Sequence, residues 1–183
     1  MIQSDTAVYL WIAYLLLALP LDWLSAALLA ALIHEACHIL LLLLLGGNIR
    51  NIRISVTGCE LESTAPGEWQ ALASILAGPA GSLILFLFWK TIPKLALCGL
   101  FQGLYNLLPL YPLDGGRVLK LLLDRFLPGK AAHIQWIVSS VLCGVILILS
   151  FCEASWLGLL LTLPVLRFFP RKIPCKPSQI KVQ

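Results

Sequence analysis

Long apolar blocks separated by short polar breaks dominate the chain. Their lengths predict helices over residues 6–19, 23–45, 69–89, 95–109, 133–151 and 155–166. Pro20 and Asp22 interrupt the first pair, so residues 6–45 read as a tight helical hairpin rather than one rod. Between the second and third blocks the period changes. In "NIRNIRISVTGCELEST", Ile52, Ile54 and Val56 alternate with Arg53, Ser55 and Thr57, and Gly58 offers a turn, the pattern of a small β-hairpin. After Asp114, "GGRVLKLLLDRFLPGK" returns to helical spacing with Arg117, Lys120, Asp124 and Arg125 on one face. A short interfacial helix ended by Pro128 and Gly129 is expected there.

Composition turns these blocks into membrane spans. The 183 residues are 60% hydrophobic and 12% charged, with a mean hydropathy of +0.91, whereas soluble domains are roughly half apolar and a quarter charged. The length suits about six spans of ~20 residues and one integral domain, 1–183. No lysine or arginine precedes the first apolar block, so no cleavable signal peptide is expected. The six cysteines show no C-x-x-C pair and read as reduced, mostly space-filling thiols.

Charge then sets orientation. In a six-span arrangement, the side holding both termini collects Arg50, Arg53, Arg117, Lys120, Arg125, Lys130, Arg167, Arg171, Lys172, Lys176 and Lys181, against Lys90 and Lys94 opposite. The positive-inside rule therefore places both termini in the cytoplasm of a multi-pass cell-membrane protein. The net charge of +4 arises from these span-end residues and the tail, so nucleic-acid binding is not indicated. The tail, 170–183, is polar and basic and reads as flexible.

Against this background "ALIHEACHILLLLLL" stands out, because ionisable residues at membrane depth are costly and mark function. His34, Glu35 and His38 form H-E-x-x-H. On a helix, positions i and i+4 share a face, so His34 and His38 can present ring nitrogens to one metal ion, with Glu35 beside its bound water. Two neutral imidazoles and a carboxylate base match a catalytic zinc site, which ordinarily takes a third protein ligand. Asp22 and Glu153 fall on the far membrane face in the charge-based arrangement. Asp114, in "YNLLPLYPLDGGRV", falls near the cytoplasmic end of the fourth span, at a depth similar to His38. Pro109 and Pro112 disrupt helical hydrogen bonding there, and Gly115 and Gly116 would allow positive φ. Broken backbone at such depth is tolerated where protein or a water-filled cavity satisfies it.

Asn106 is open to two readings, contact with a substrate backbone or oxyanion, or a hydrogen bond between helices. In the third span Ser74, Gly78 and Ser82, with Ala77 and Gly81, form a small-residue packing face. Pro79 is expected to loosen the helix there.

"HEACH", "AGPAGS" and "NLLPLYPLDGG", in this order and in apolar context, resemble the site-2 protease family of intramembrane zinc metalloproteases over residues 23–127. With the six spans and the β-hairpin between the second and third read above, this is an all-α polytopic membrane protein, in which the resemblance implies a three-helix catalytic core. The resemblance also implies one Zn2+ held by His34, His38 and Asp114, with Glu35 as general base. Asn106 and Pro112 match the Asn and Pro that precede the ligand Asp. Ser82 stands where the family often has Asn, in G-P-x-x-N. The compact layout looks most like the branch containing sporulation proteases that release a membrane-tethered sigma factor. A membrane-tethered protein substrate, the bilayer and a regulatory membrane protein are the partners implied.

Because a helix hides its amides, an extended substrate would need a strand edge, and residues 52–56 are a candidate for it, against a plain surface hairpin. Competing readings are a membrane metal transporter, which would line a continuous polar path, an inactive metal-binding scaffold, which would not need Glu35, and a zinc hydrolase acting on lipid.

Overall fold

The computed structural model describes residues 2–4, 20–55, 58–64 and 66–152. The expected first and sixth spans, Glu153 and the basic tail lie outside the described residues. The described residues divide into two compact units, one reaching Asn106 and the other starting at Leu107.

In the first unit α1 spans Leu21–Leu44, α2 Glu68–Ile84 and α3 Pro93–Asn106, and each packs against the other two. Along α1 the buried positions Ala26, Ala30, His34, His38 and Leu42 recur every fourth residue, while Leu28, Leu32, Leu40 and Leu43 are exposed. A helix that buries its small and polar residues and exposes its leucines is built for an apolar solvent. The helix ends in a glycine turn: Gly46 takes φ +82°, and Gly47 N–H closes on the Leu42 carbonyl at 2.9 Å.

Small residues let the three helices approach. A Cβ on Gly81 would meet Cys37 Sγ at 2.3 Å, and one on Gly99 would meet the Ser82 carbonyl oxygen at 2.7 Å. Pro79 does not break α2, which continues to Ile84 and then tightens into a 3-10 turn over Leu85–Phe88. At the N-terminal ends of α1 and α3, Lys94 pairs with Asp22, and its ammonium lies 5.8 Å from the Trp23 ring centroid.

Between α1 and α2, β2 (Asn48–Ser55) runs antiparallel to β3 (Gly58–Thr64), with an irregularity in register between Ile49 and Asn51. Gly58, expected in the turn, is instead the first residue of β3, paired with Ser55, while residues 56 and 57 lie outside the described residues. β1 (Ile2–Ser4) pairs parallel with the other side of β2, giving the order β1-β2-β3. This corrects the expectation of an open edge at residues 52–54; of the rest of the candidate segment 52–56, Ser55 pairs with Gly58 and residue 56 lies outside the described residues. Ile52, Arg53 and Ile54 are paired on both sides, so their backbone groups are already committed.

In the second unit α4 spans Asp114–Phe126 and packs with α5, Ala131–Cys152. α4 ends just ahead of Pro128 and Gly129, the latter at φ +84°. Residues 107–113 are irregular and rest on α5, with Leu110 and Cys143 buried among Leu108, Leu113, Leu142 and Ile146. The helix expected to reach Pro109 therefore stops at Asn106. Proline lacks an N–H, clashes with the carbonyl four residues back and disfavours helical geometry in the residue before it. At 14 residues α3 is about 21 Å long, shorter than the ~30 Å bilayer core. Among the described residues three helices are long and apolar enough to cross a membrane: Leu21–Leu44, Glu68–Phe88 and Ala131–Ile148.

Candidate metal centre

His34 and His38 lie one turn apart on the buried face of α1, at 2% and 6% exposure. Their Nε2 atoms are 3.1 Å from each other, and the rings meet edge to face with centroids 4.7 Å apart. Each ring is held from behind by α2. His38 Nδ1 lies 2.8 Å from the Ser74 carbonyl oxygen, which only accepts, so Nδ1 carries the hydrogen and donates it. His34 Nδ1 lies 2.8 Å from Ser82 Oγ. Both rings are thus gripped through Nδ1 and turn Nε2 to a common point, the orientation that metal-binding histidines generally owe to such outer contacts.

Gly78 makes this possible. A Cβ there would stand 2.1 Å from His38 Nε2, so the ring occupies the space a side chain would need. The stripe Ser74, Gly78 and Ser82, expected as a packing face, is buried as expected, and it is the surface on which both imidazoles rest. Ser74 Oγ is turned away, donating to the Ala71 carbonyl at 2.8 Å. Glu35 is half-buried on the same helix, one position past His34. Two desolvated imidazoles with converging Nε2 atoms, and a glycine in place of a bulkier neighbour, fit one transition-metal ion of the zinc type.

In the second unit Asp114 is the first residue of α4 and is 4% exposed. Arg117, one turn on, donates from Nη1 to Asp114 Oδ1 at 3.3 Å, fixing the carboxylate. The two glycines after it serve a purpose different from the expected one. Gly115 and Gly116 are helical, and among the described residues only Gly46 and Gly129 have positive φ. Their need is proximity: a Cβ on Gly115 would meet the Leu107 carbonyl oxygen at 2.1 Å, and one on Gly116 the Leu110 carbonyl oxygen at 2.4 Å. The first turn of α4 is pressed against the preceding backbone, where only glycine fits.

Two residues that sequence reasoning passed over hold that backbone. Gln135 and Ser139 of α5 are buried at 0% and 4% exposure. Gln135 Nε2 donates to the Pro109 carbonyl at 3.4 Å and to Ser139 Oγ at 3.3 Å, and Ser139 Oγ accepts from Tyr111 N–H at 3.1 Å. Their signal was present, a glutamine and a serine four apart, on one face of a largely apolar span. Pro112, half-buried, follows a cis peptide bond from Tyr111 in this segment. Asn106 is half-buried at the last position of α3.

The sequence pattern of peptidase family M50 matches residues 86–149. The chain is 38% identical over 103 residues to "Putative zinc metalloprotease sll0528" of Synechocystis, covering 48% of this chain and 27% of the relative. It is 32% identical over 141 residues to stage IV sporulation protein FB of Bacillus subtilis, covering 68% and 49%. It therefore spans about a quarter and about half of these curated relatives. In fold it is similar to the site-2 protease of Methanocaldococcus jannaschii, with a TM-score of 0.75 at 18% identity, over 100% of this chain and 94% of that one.

Proposed function

We propose that this chain, whose residues 86–149 match peptidase family M50 and whose fold is that of a site-2 protease, is an intramembrane zinc metalloprotease that cuts a membrane-tethered protein in or beside its transmembrane segment. The observation that carries the reading is the pair of buried histidines, each gripped through Nδ1 and converging through Nε2, on a helix whose outer face is leucine.

In this reading His34, His38 and Asp114 hold one zinc ion. Bound zinc polarises a carbonyl and lowers the pKa of a coordinated water to about 7. The protein supplies the rest. Glu35 takes the proton of the attacking water and returns it to the departing amine nitrogen, which needs a carboxylate within reach of both. Asn106 donates to the scissile carbonyl oxygen, and Pro112 keeps the segment before Asp114 open to substrate. The half-buried setting of Glu35 limits competing water.

The chain is one domain, 1–183, that crosses the membrane six times with both termini cytoplasmic. Support comes from the division of its lysines and arginines, eleven to two. The β2–β3 pair forms a small surface hairpin between the second and third spans. A separate membrane protein regulates access. The substrate is a tethered transcription factor, as the motif resemblance to the sporulation branch implies.

Purified protein in detergent should contain one zinc per chain and cleave a tethered candidate substrate. Asp114→Ala should lose metal, and full zinc occupancy in that variant would remove Asp114 from the ligand set. Absence of zinc from the wild type would sink the metalloprotease reading.

A further inference from the structure

The two histidines are gripped by partners of different chemical kind. His38 faces a backbone carbonyl, which accepts and never donates, so its tautomer is fixed with the hydrogen on Nδ1. His34 faces the hydroxyl of Ser82, which can do either. Ser82 is fully buried on α2, and its contact with His34 spans 48 positions of sequence.

We propose that Ser82 is the positioning residue for His34, and that its hydroxyl serves the imidazole in both metal-free and metal-bound protein. This rests on the zinc reading of His34 and His38. His38, with its hydrogen on Nδ1, carries a lone pair on Nε2, and His34 Nε2 stands 3.1 Å away. That separation is a hydrogen bond when His34 keeps its hydrogen on Nε2, leaving Nδ1 bare to accept from Ser82 Oγ–H. When Nε2 becomes a ligand, the same hydrogen is carried on Nδ1 and donated to Ser82 Oγ. The ring stays neutral, and no net proton is gained or lost. The hydroxyl hydrogen then turns to a carbonyl one turn back on α2, as the Ser74 hydroxyl already does with the Ala71 carbonyl.

A fixed acceptor in place of Ser82 would hold only one tautomer, and an apolar residue would hold neither. The backbone of Ser82 is also held close, from α3. A Cβ on Gly99 would touch the Ser82 carbonyl oxygen.

The test uses the full chain with 15N-labelled histidine, in which His34, His38 and His133 are the three imidazoles. Zinc affinity is measured by chelator competition, and ring 15N shifts with and without zinc. Ser82→Ala should weaken zinc binding by roughly 10- to 100-fold and move the His34 nitrogen shifts in the zinc-free protein, leaving those of His38 in place. Ser82→Thr, which keeps the hydroxyl, should restore both. If Ser82→Ala binds zinc as tightly as wild type, or if affinity falls while the His34 shifts stay fixed, the positioning role is overturned. Wild type that takes up no zinc refutes the zinc reading itself, a separate outcome.

Discussion

The two units hold their chemistry in place by opposite means. In the first, regular helices do the work: α1 sets His34 and His38 one turn apart by its own periodicity, and α2 offers a flat strip of small residues on which they lie. In the second, the backbone before Asp114 is irregular. It is held by side chains of another helix, Gln135 and Ser139, and by glycines that let backbone touch backbone. A helix satisfies its own polar groups, so it needs only a surface to rest on. A broken segment exposes carbonyls and amides that must find partners elsewhere, and in an apolar setting those partners must be built in.

That contrast can be broken experimentally. The largest effect should come from Glu35→Gln, which leaves α1 and both imidazoles in place while removing the base. Hydrolysis of a tethered substrate should fall by about 10²- to 10⁴-fold with zinc content unchanged. Equal cleavage by the variant would show that the base lies elsewhere.

Next come the glycines, where the two units should respond differently. Gly78→Ala pushes a Cβ into the His38 ring, so zinc affinity should drop by at least about tenfold with smaller loss of fold. Gly115→Ala meets a backbone carbonyl that cannot swing aside. It should lower unfolding stability in detergent by roughly 1–3 kcal/mol. If Gly115→Ala is as stable as wild type, the close approach of α4 to its preceding segment is not as tight as described.

Gln135→Ala should cost about 1–2 kcal/mol through the hydrogen bonds it removes from the Pro109 carbonyl and Ser139. The loss is moderated because Gln135 Oε1 is itself buried without a partner among the described residues. The smallest effect belongs to Lys94→Ala. Its ion pair with Asp22 is about half exposed on both sides, and loss should stay below about 1 kcal/mol and shrink with added salt.

Much of the chain was legible from its sequence, for reasons that are local. Apolar block length gave α1, α2 and α5 within a few residues, and the charged spacing after Asp114 gave α4. The i, i+4 spacing of His34 and His38 was enough to place both on one face. Less legible were matters depending on residues far apart. The end of α3 at Asn106 is the exception, a local effect of Pro109, which sits inside the apolar block that set the expected length. The closed sides of β2 required β1, more than forty residues earlier.

By itself the sequence marks out His34, Glu35 and His38, because ionisable groups in an apolar helix are costly. Only the tertiary structure decided how they are held. That Ser82 meets His34 through its hydroxyl and Ser74 meets His38 through its carbonyl, and that Gly78 makes room for a ring and Gly115 for a carbonyl, depends on which helix faces which. Sequence spacing fixes angles around one helix axis, while contact between helices is set by packing that no single segment encodes.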